Sequence, residues 1–173
     1  MTTSRLNLGC GTDVREGWVN VDRIQLPGVD IIHDIEELPL PFPGDSFDYV
    51  LCQDILEHVN YIPVLRDIWR IMKVDGTLHV RVPHFTSPNA YGDPTHKQFF
   101  NRDTFRFFVS GNPRSYYFKF SFAHMKALHI CFGIRAYLPL QWFVNLSPRT
   151  QRFYEISPLR VFPASNIEVD LIK

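Results

Sequence analysis

Residues 6–13 read LNLGCGTD, and VNVD follows at 19–22. Leu6 and Leu8 ahead of Gly9 and Gly11 predict a short buried strand that runs into a glycine turn. Glycines at that place let a backbone approach a ligand with no Cβ in the way. VNVD predicts a second strand, ending in the carboxylate of Asp22. Only TDVREGW, residues 12–18, lies between them, too little for the helix that normally joins two parallel strands. A dinucleotide fingerprint needs G-x-G-x-x-G and an acidic residue about 20 positions on. Here GCGTDV lacks the third glycine. A pyrophosphate also needs a helix N-terminus beneath it, for which there is no room. A nicotinamide oxidoreductase is therefore disfavoured, while a ligand with a ribose and a base but no phosphate tolerates the loss.

Outward from this turn, the first 83 residues alternate short apolar runs with turns, the pattern of an α/β sheet. RLNLG (5–9), WVNVD (18–22), VDIIH (29–33), FDYVLC (47–52) and TLHVRVP (77–83) are expected strands. YIPVLRDIWRIMK is an expected helix, with Asn60 as its cap, Pro63 in its first turn and Leu65, Ile68, Trp69 and Met72 on one face. DILEHV predicts a second, shorter one, which puts Asp54, Glu57 and His58 at i, i+3 and i+4. Residues 84–100, HFTSPNAYGDPTHKQFF, form a long polar loop of the kind that is usually functional or disordered. A helix around 102–109 and a β-rich tail follow: SYYFKFSF, ICFGIRAYL, RFYEISPLRVF and SNIEVDLIK. No linker interrupts the chain, so residues 1–173 are expected to be one domain, with a nucleotide-binding half at 5–83 and a lid loop and acceptor half at 84–173.

Apolar residues make up 45% and charged residues 21% of the chain, as in an ordinary globular protein. The net charge is zero, yet residues 1–98 hold 8 basic and 14 acidic side chains against 10 and 4 in 99–173. No Lys/Arg run accompanies the positive half, which argues against nucleic acid as a partner. Of 25 Phe, Tyr and Trp residues, 17 lie in 99–173, enough to line an apolar pocket or a partner surface as well as a core. Cys10, Cys52 and Cys131 have no framework spacing, and MTTSRLNLGCG shows no signal peptide, so a reduced, cytoplasmic protein is expected. ALHICFGIRAYLPLQWFVNL is interrupted by His129, Arg135, Pro139 and Gln141, which excludes a membrane span. Peripheral membrane contact and a homodimer stay open.

Taken in order, LNLGCGT, NVD, HDIEELPLPFPGDSFDYVLCQDILEHV and LRDIWRIMKVDGTLHVRVP resemble the Rossmann-like (class I) S-adenosylmethionine-dependent methyltransferases of the methyltransferase domain 11 type. The resemblance covers about residues 5–83. Lys73-Val74-Asp75-Gly76 stands where the family usually has Lys-Pro-Gly-Gly. The resemblance implies a mostly parallel sheet of about seven strands with an antiparallel C-terminal strand, its first helix truncated here. The cofactor it implies is S-adenosyl-L-methionine. Gly9, Cys10 and Gly11 would pass beside its methionine part, and Asn7 stands where the first motif is often acidic. Asp22 would accept from both ribose hydroxyls, a task suited to a carboxylate. Asp34 would take the adenine amino group, the Ile35 N–H a ring nitrogen, and Gln53 would lie near the transferring methyl.

An oxygen or nitrogen acceptor can require a general base. His96, in the loop after the fifth strand and oriented by Asp93, is the leading candidate, since an imidazole takes a proton near neutral pH. His58 is the second. His33 reads as structural and His84 as a weaker candidate; no metal is assigned. The expected function is methyl transfer to a small, apolar or ring-containing acceptor. The rival is a non-catalytic cofactor-binding or interaction protein that keeps the fold.

Overall fold

The computed structural model describes residues 4–173. Met1–Thr3, read above as part of a start without a leader, lie outside the described residues. Seven strands form one sheet: β1 (Arg5–Leu8), β2 (Val19–Asp22), β3 (Ile31–Ile32), β4 (Phe47–Gln53), β5 (Met72–Pro83), β6 (His124–Cys131) and β7 (Asn166–Ile172). Their order is β3-β2-β1-β4-β5-β7-β6. Strands β3 to β5 pair in parallel, and β7 runs antiparallel to both its neighbours. The chain winds outward in opposite directions from β1 and β4. In open α/β sheets the crevice at the carboxyl ends of such a strand pair is the usual ligand site.

No helix joins β1 to β2. The buried Asn20 side chain organises that connection instead, accepting from Arg15 N–H at 2.9 Å and donating to Arg15 O at 3.0 Å. The sheet shows the consequence of the shortened connection. Parallel strands are normally covered on both faces, but along β5 Leu78, Val80 and Val82 are buried while Thr77, His79 and Arg81 stay partly exposed. His79 Nδ1 meets Asp170 Oδ1 at 2.7 Å on that polar face.

The other face carries the main core. Helix α1 (Tyr61–Ile71) buries Val64, Leu65, Ile68 and Ile71 against it. Asn60 does not cap α1 with its side chain; its backbone N–H donates to Glu36 Oε1 at 2.8 Å, tying the helix start to the β3–β4 connection. Met72 is buried but belongs to β5, which begins five residues before the expected strand. DILEHV forms only one 3₁₀ turn, Leu56–His58. The 84–100 loop contains the short α2 (Asn89–Gly92) and is closed at its base by Phe85 N–H to Phe100 O at 2.9 Å.

The tail is less β-rich than its composition suggested. The 102–109 segment is a 3₁₀ turn at Thr104–Phe108. SYYFKFSF alternates like a strand, yet Phe118 and Phe120 pack on Phe108 and Phe122 on Phe120, with one bridge, Val109 to Phe122. ICFGIRAYL leaves the sheet after Cys131 and becomes α3 (Leu138–Val144). RFYEISPLRVF lies in α4 (Pro148–Ile156) and the 3₁₀ turn Pro158–Val161. The start signal for α4 lies upstream of that stretch: Ser147 caps it, Pro148 opens it, and Thr150 completes a capping box. Both helices cover a second small core of Ile130, Phe132, Val144, Tyr154 and Ala164. Ser147→Ala is expected to lower stability by about 1 kcal/mol, measured by chemical denaturation, because the Thr150 N–H loses its acceptor.

Candidate functional site

The ends of β1, β2 and β4 build a cavity of about 620 Å³, walled in part by Gly9, Asp22, Asp34 and Ile35. Gly9 N–H and Cys10 N–H both donate to Val21 O, at 2.8 and 3.0 Å, and so turn the chain over the end of β2. Asp22 Oδ2 accepts from Gly11 N–H at 2.8 Å and Oδ1 from Ile24 N–H at 3.0 Å. Each oxygen of an ionised carboxylate has two acceptor sites, so the group is fixed in direction and keeps acceptor capacity toward the cavity. Asp34 Oδ1 accepts from Glu36 N–H at 2.9 Å in the same manner. His33 Nε2 lies 2.8 Å from Glu37 O, bracing the turn beside Asp34.

Gly9 sits at φ +72°, and a Cβ there would come within 2.6 Å of Ile55 Cγ1. Gly9→Ala is expected to cost about 1–2 kcal/mol through backbone strain and to displace Ile55, itself a wall residue. A melting curve taken alongside a ligand titration checks both effects.

Four residues expected at the cofactor are not part of this wall. Asn7 is buried and donates to Asp13 O at 2.7 Å and to Asn20 Oδ1 at 3.2 Å. Gln53 Oε1 accepts from Arg15 Nη2 at 2.7 Å. The Cys10 thiol is buried, which pushes its pKa up. Gly11 offers its N–H to Asp22, and a Cβ on it would meet nothing within 4 Å. The first three brace the glycine turn from behind.

A second cavity, of about 760 Å³, adjoins the first across Asp54, His58 and Pro94, which line both. Glu57 and His96 line this second cavity. His58 and His96 stack edge to face with ring centroids 4.7 Å apart. The loop is held there by Lys97 N–H and Gln98 N–H, both donating to Glu57 O, at 2.7 and 3.2 Å. Asp54 shares this cavity wall with Glu57 and His58, but not through a common helix face: at φ +51° it precedes the 3₁₀ turn and pairs with Arg81.

Asp93 does not orient His96, whose Nε2 is 3.9 Å from the nearer carboxylate oxygen, beyond hydrogen-bond range. Instead Asp93 Oδ1 accepts from Thr95 Oγ1 at 2.6 Å, and Thr95 Oγ1 lies 2.8 Å from His58 Nδ1. The Thr95 backbone N–H also donates to Asp93 Oδ1, at 2.8 Å, and with the hydroxyl's bond holds the Asp93 carboxyl below the ordinary range. The Thr95 proton is therefore committed to Asp93, so Thr95 accepts from His58 Nδ1–H and leaves His58 Nε2 as the basic nitrogen. Burial, with His96 beside it, pulls the His58 pKa down.

Sequence reasoning passed over Thr95 and gave Glu57 no catalytic role. Glu57 is 1% exposed, its Oε2 has no hydrogen-bond partner, and burial pushes its pKa up to about 7. The one signal in the sequence was Glu57 next to His58 in DILEHV. One donor atom each of Glu57, His58 and His96 lies within 4.8 Å of the others, a set that suits proton transfer and could equally hold a divalent cation.

Residues 4–80 match the family model described as a methyltransferase domain. The methyltransferase-domain match ends inside β5, before the loop that carries His96. An uncharacterised protein of Methanocaldococcus jannaschii is 53% identical over 45 residues, covering 26% of this chain and 20% of that protein. Demethylmenaquinone methyltransferase of Listeria welshimeri is 36% identical over 74 residues, 39% of this chain and 31% of the enzyme. The matches thus span a fifth to a third of those relatives' lengths. A structure titled as a SAM dependent methyltransferase from Archaeoglobus fulgidus superposes with a TM-score of 0.67 at 18% identity, over 99% of this chain and 86% of that one. The fold is that of a class I methyltransferase, complete to its antiparallel β7.

Proposed function

We propose that this chain is an S-adenosylmethionine-dependent methyltransferase acting on the oxygen or nitrogen of a small, apolar or ring-containing acceptor. The observation that carries the reading is the pair of cavities meeting at His58. One is walled by a fixed carboxylate and a glycine turn, and the other by three proton-transfer groups. The first cavity fits the cofactor. Asp22 retains acceptor capacity for two ribose hydroxyls, Gly9 presents backbone without a side chain, and Asp34 and Ile35 are at hand for adenine. The missing β1–β2 helix removes nothing that a ligand without phosphate needs.

S-adenosylmethionine supplies a methyl group already activated on sulfur, so the protein's share of the work is alignment, exclusion of water and removal of a proton. The 84–100 loop lies over the meeting of the two cavities and serves as the lid. His58 Nε2 is the base, held in its tautomer by Thr95 and Asp93. Glu57, titrating near neutrality, receives or releases the proton behind it, and His96 packs against His58 to fix the ring. The relatives named for demethylmenaquinone support a ring-containing acceptor. Three free cysteines fit work in the cytoplasm.

The test is calorimetric titration with S-adenosylhomocysteine, followed by transfer of labelled methyl from S-adenosylmethionine to a panel of ring alcohols and amines. Micromolar binding together with transfer that falls about 100-fold in His58→Ala supports the proposal. Binding without transfer to any acceptor would move the chain to the non-catalytic class. No binding would overturn the reading altogether.

A further inference from the structure

We infer that the outward face of α3, α4 and the turn after them docks onto an anionic lipid bilayer. This surface lies outside residues 4–80, so the family match says nothing about it, and it does not depend on which acceptor is methylated.

Helix α3 is apolar on both sides. Its inner side sends Leu140 and Val144 into the small core. Its outer side carries Leu138 and Trp142, four apart on one ridge and 53% and 70% exposed, and Leu146, 53% exposed, follows just past the helix end. A surface helix of a globular protein normally turns polar residues outward, and this one has none on that ridge. Helix α4 packs its inner side, Gln151 and Tyr154, toward the same core and turns Phe153 and Ile156 outward. Val161 and Phe162 continue the exposed set, with the Phe162 ring 5.6 Å from Tyr137 just before α3. Exposed apolar side chains gathered on adjoining elements in this way mark an interaction surface.

The charges around it select the occupant. Residues 133–165 contain Arg135, Arg149, Arg152 and Arg160 and one carboxylate, Glu155. All four arginines are exposed, while Glu155 is buried and bonded to His84 Nε2 at 3.1 Å and Arg102 N–H at 2.9 Å. The surface therefore presents cations and no anion. A tryptophan and aliphatic ridge flanked by arginines is the composition of a helix lying in a membrane interface, where guanidinium groups pair with phosphate. Tyr91, on the 84–100 loop, shares a shallow depression with Arg160 and Val161, so the lid over the acceptor cavity borders this face.

The experiment mixes the full chain with phosphatidylcholine vesicles, with or without phosphatidylglycerol, and measures bound protein by co-sedimentation at low and high salt. Two variants separate the contributions: Trp142→Ser with Phe153→Ser, and Arg149→Gln with Arg152→Gln. Every substituted side chain is exposed, and an unchanged melting curve and S-adenosylhomocysteine titration show that fold and cofactor site are intact. The expected result is binding to the anionic vesicles only, weakened by salt, and at least about tenfold weaker in each variant, since one interfacial arginine is worth roughly fivefold. Vesicles with brominated acyl chains should quench fluorescence in the native chain and not in Trp142→Ser. No native binding, or equal binding by both variants, would overturn the inference. So would native self-association abolished by Trp142→Ser without vesicle binding, which would assign the face to a second copy of the chain.

Discussion

Asp22→Ala is expected to weaken S-adenosylhomocysteine binding by at least about 100-fold, because two hydrogen bonds to a charged acceptor, each worth about 1.5–3 kcal/mol, are lost together. The carboxylate is pre-aimed by Gly11 N–H and Ile24 N–H at 2.8 and 3.0 Å, so the ligand bears none of the cost of ordering it. Alanine also frees those two N–H groups and loosens the glycine turn. Asp22→Asn is the milder change. It keeps one acceptor oxygen but sets its NH2 against one of the two backbone N–H groups, so it should lose about tenfold, between the native chain and alanine. Calorimetry on native protein and both variants decides the matter. Equal affinity in all three would remove Asp22 from the site.

Glu57→Gln is expected to make the protein more stable at pH 8 than the native chain, by about 3 kcal/mol, and to leave stability near pH 4.5 almost unchanged. Burial raises the Glu57 carboxyl from 4.5 to about 7 against the weaker pull of Arg81, while Asp54 and Asp93 push the same way as burial. Between those values the folded state holds a proton that the unfolded state has lost. Stability from this group is therefore fully present below pH 4.5 and is lost as pH rises through about 7. Glutamine is neutral throughout and escapes the loss. Urea denaturation of both proteins from pH 4.5 to 8.5 reads the difference directly. A constant gap would show that Glu57 is ionised in the folded protein at all these values.

The same residue shows where the sequence was readable and where it was not. Strands β1, β2, β4 and β5 and helix α1 follow from local hydrophobic period and turns, and the absent first helix follows from counting residues between Gly11 and Val19. Asp22 was legible as the carboxylate that ends β2, whereas Asp34 and Ile35, beyond the end of β3, were reached only through the resemblance. The cluster of Glu57, His58 and His96 was not legible, because its geometry is set at long range. The loop backbone at Lys97 and Gln98 folds over the Glu57 carbonyl from forty residues on, and Asp93 reaches His58 only through Thr95. Local propensity misled in the tail for a similar reason. Phe118, Phe120 and Phe122 alternate as a strand would, but contacts with the Phe108 ring and with one another satisfy them without a partner ladder.

Strand β7 lies between β5 and β6, and β6 has no other neighbour in the sheet. Thr77 pairs with Ile172, across nearly a hundred residues of chain. During synthesis the nascent chain can assemble β1 to β5 early, yet β6 and the helices that follow it must wait until residues 166–172 have left the ribosome. At roughly 5–20 residues per second, the stretch from Cys131 to Asn166 takes several seconds. For that interval the open edge of β5 and the Phe-rich segment ahead of β6 are unpaired together, a window in which a chaperone has more to gain from this protein than at any later time.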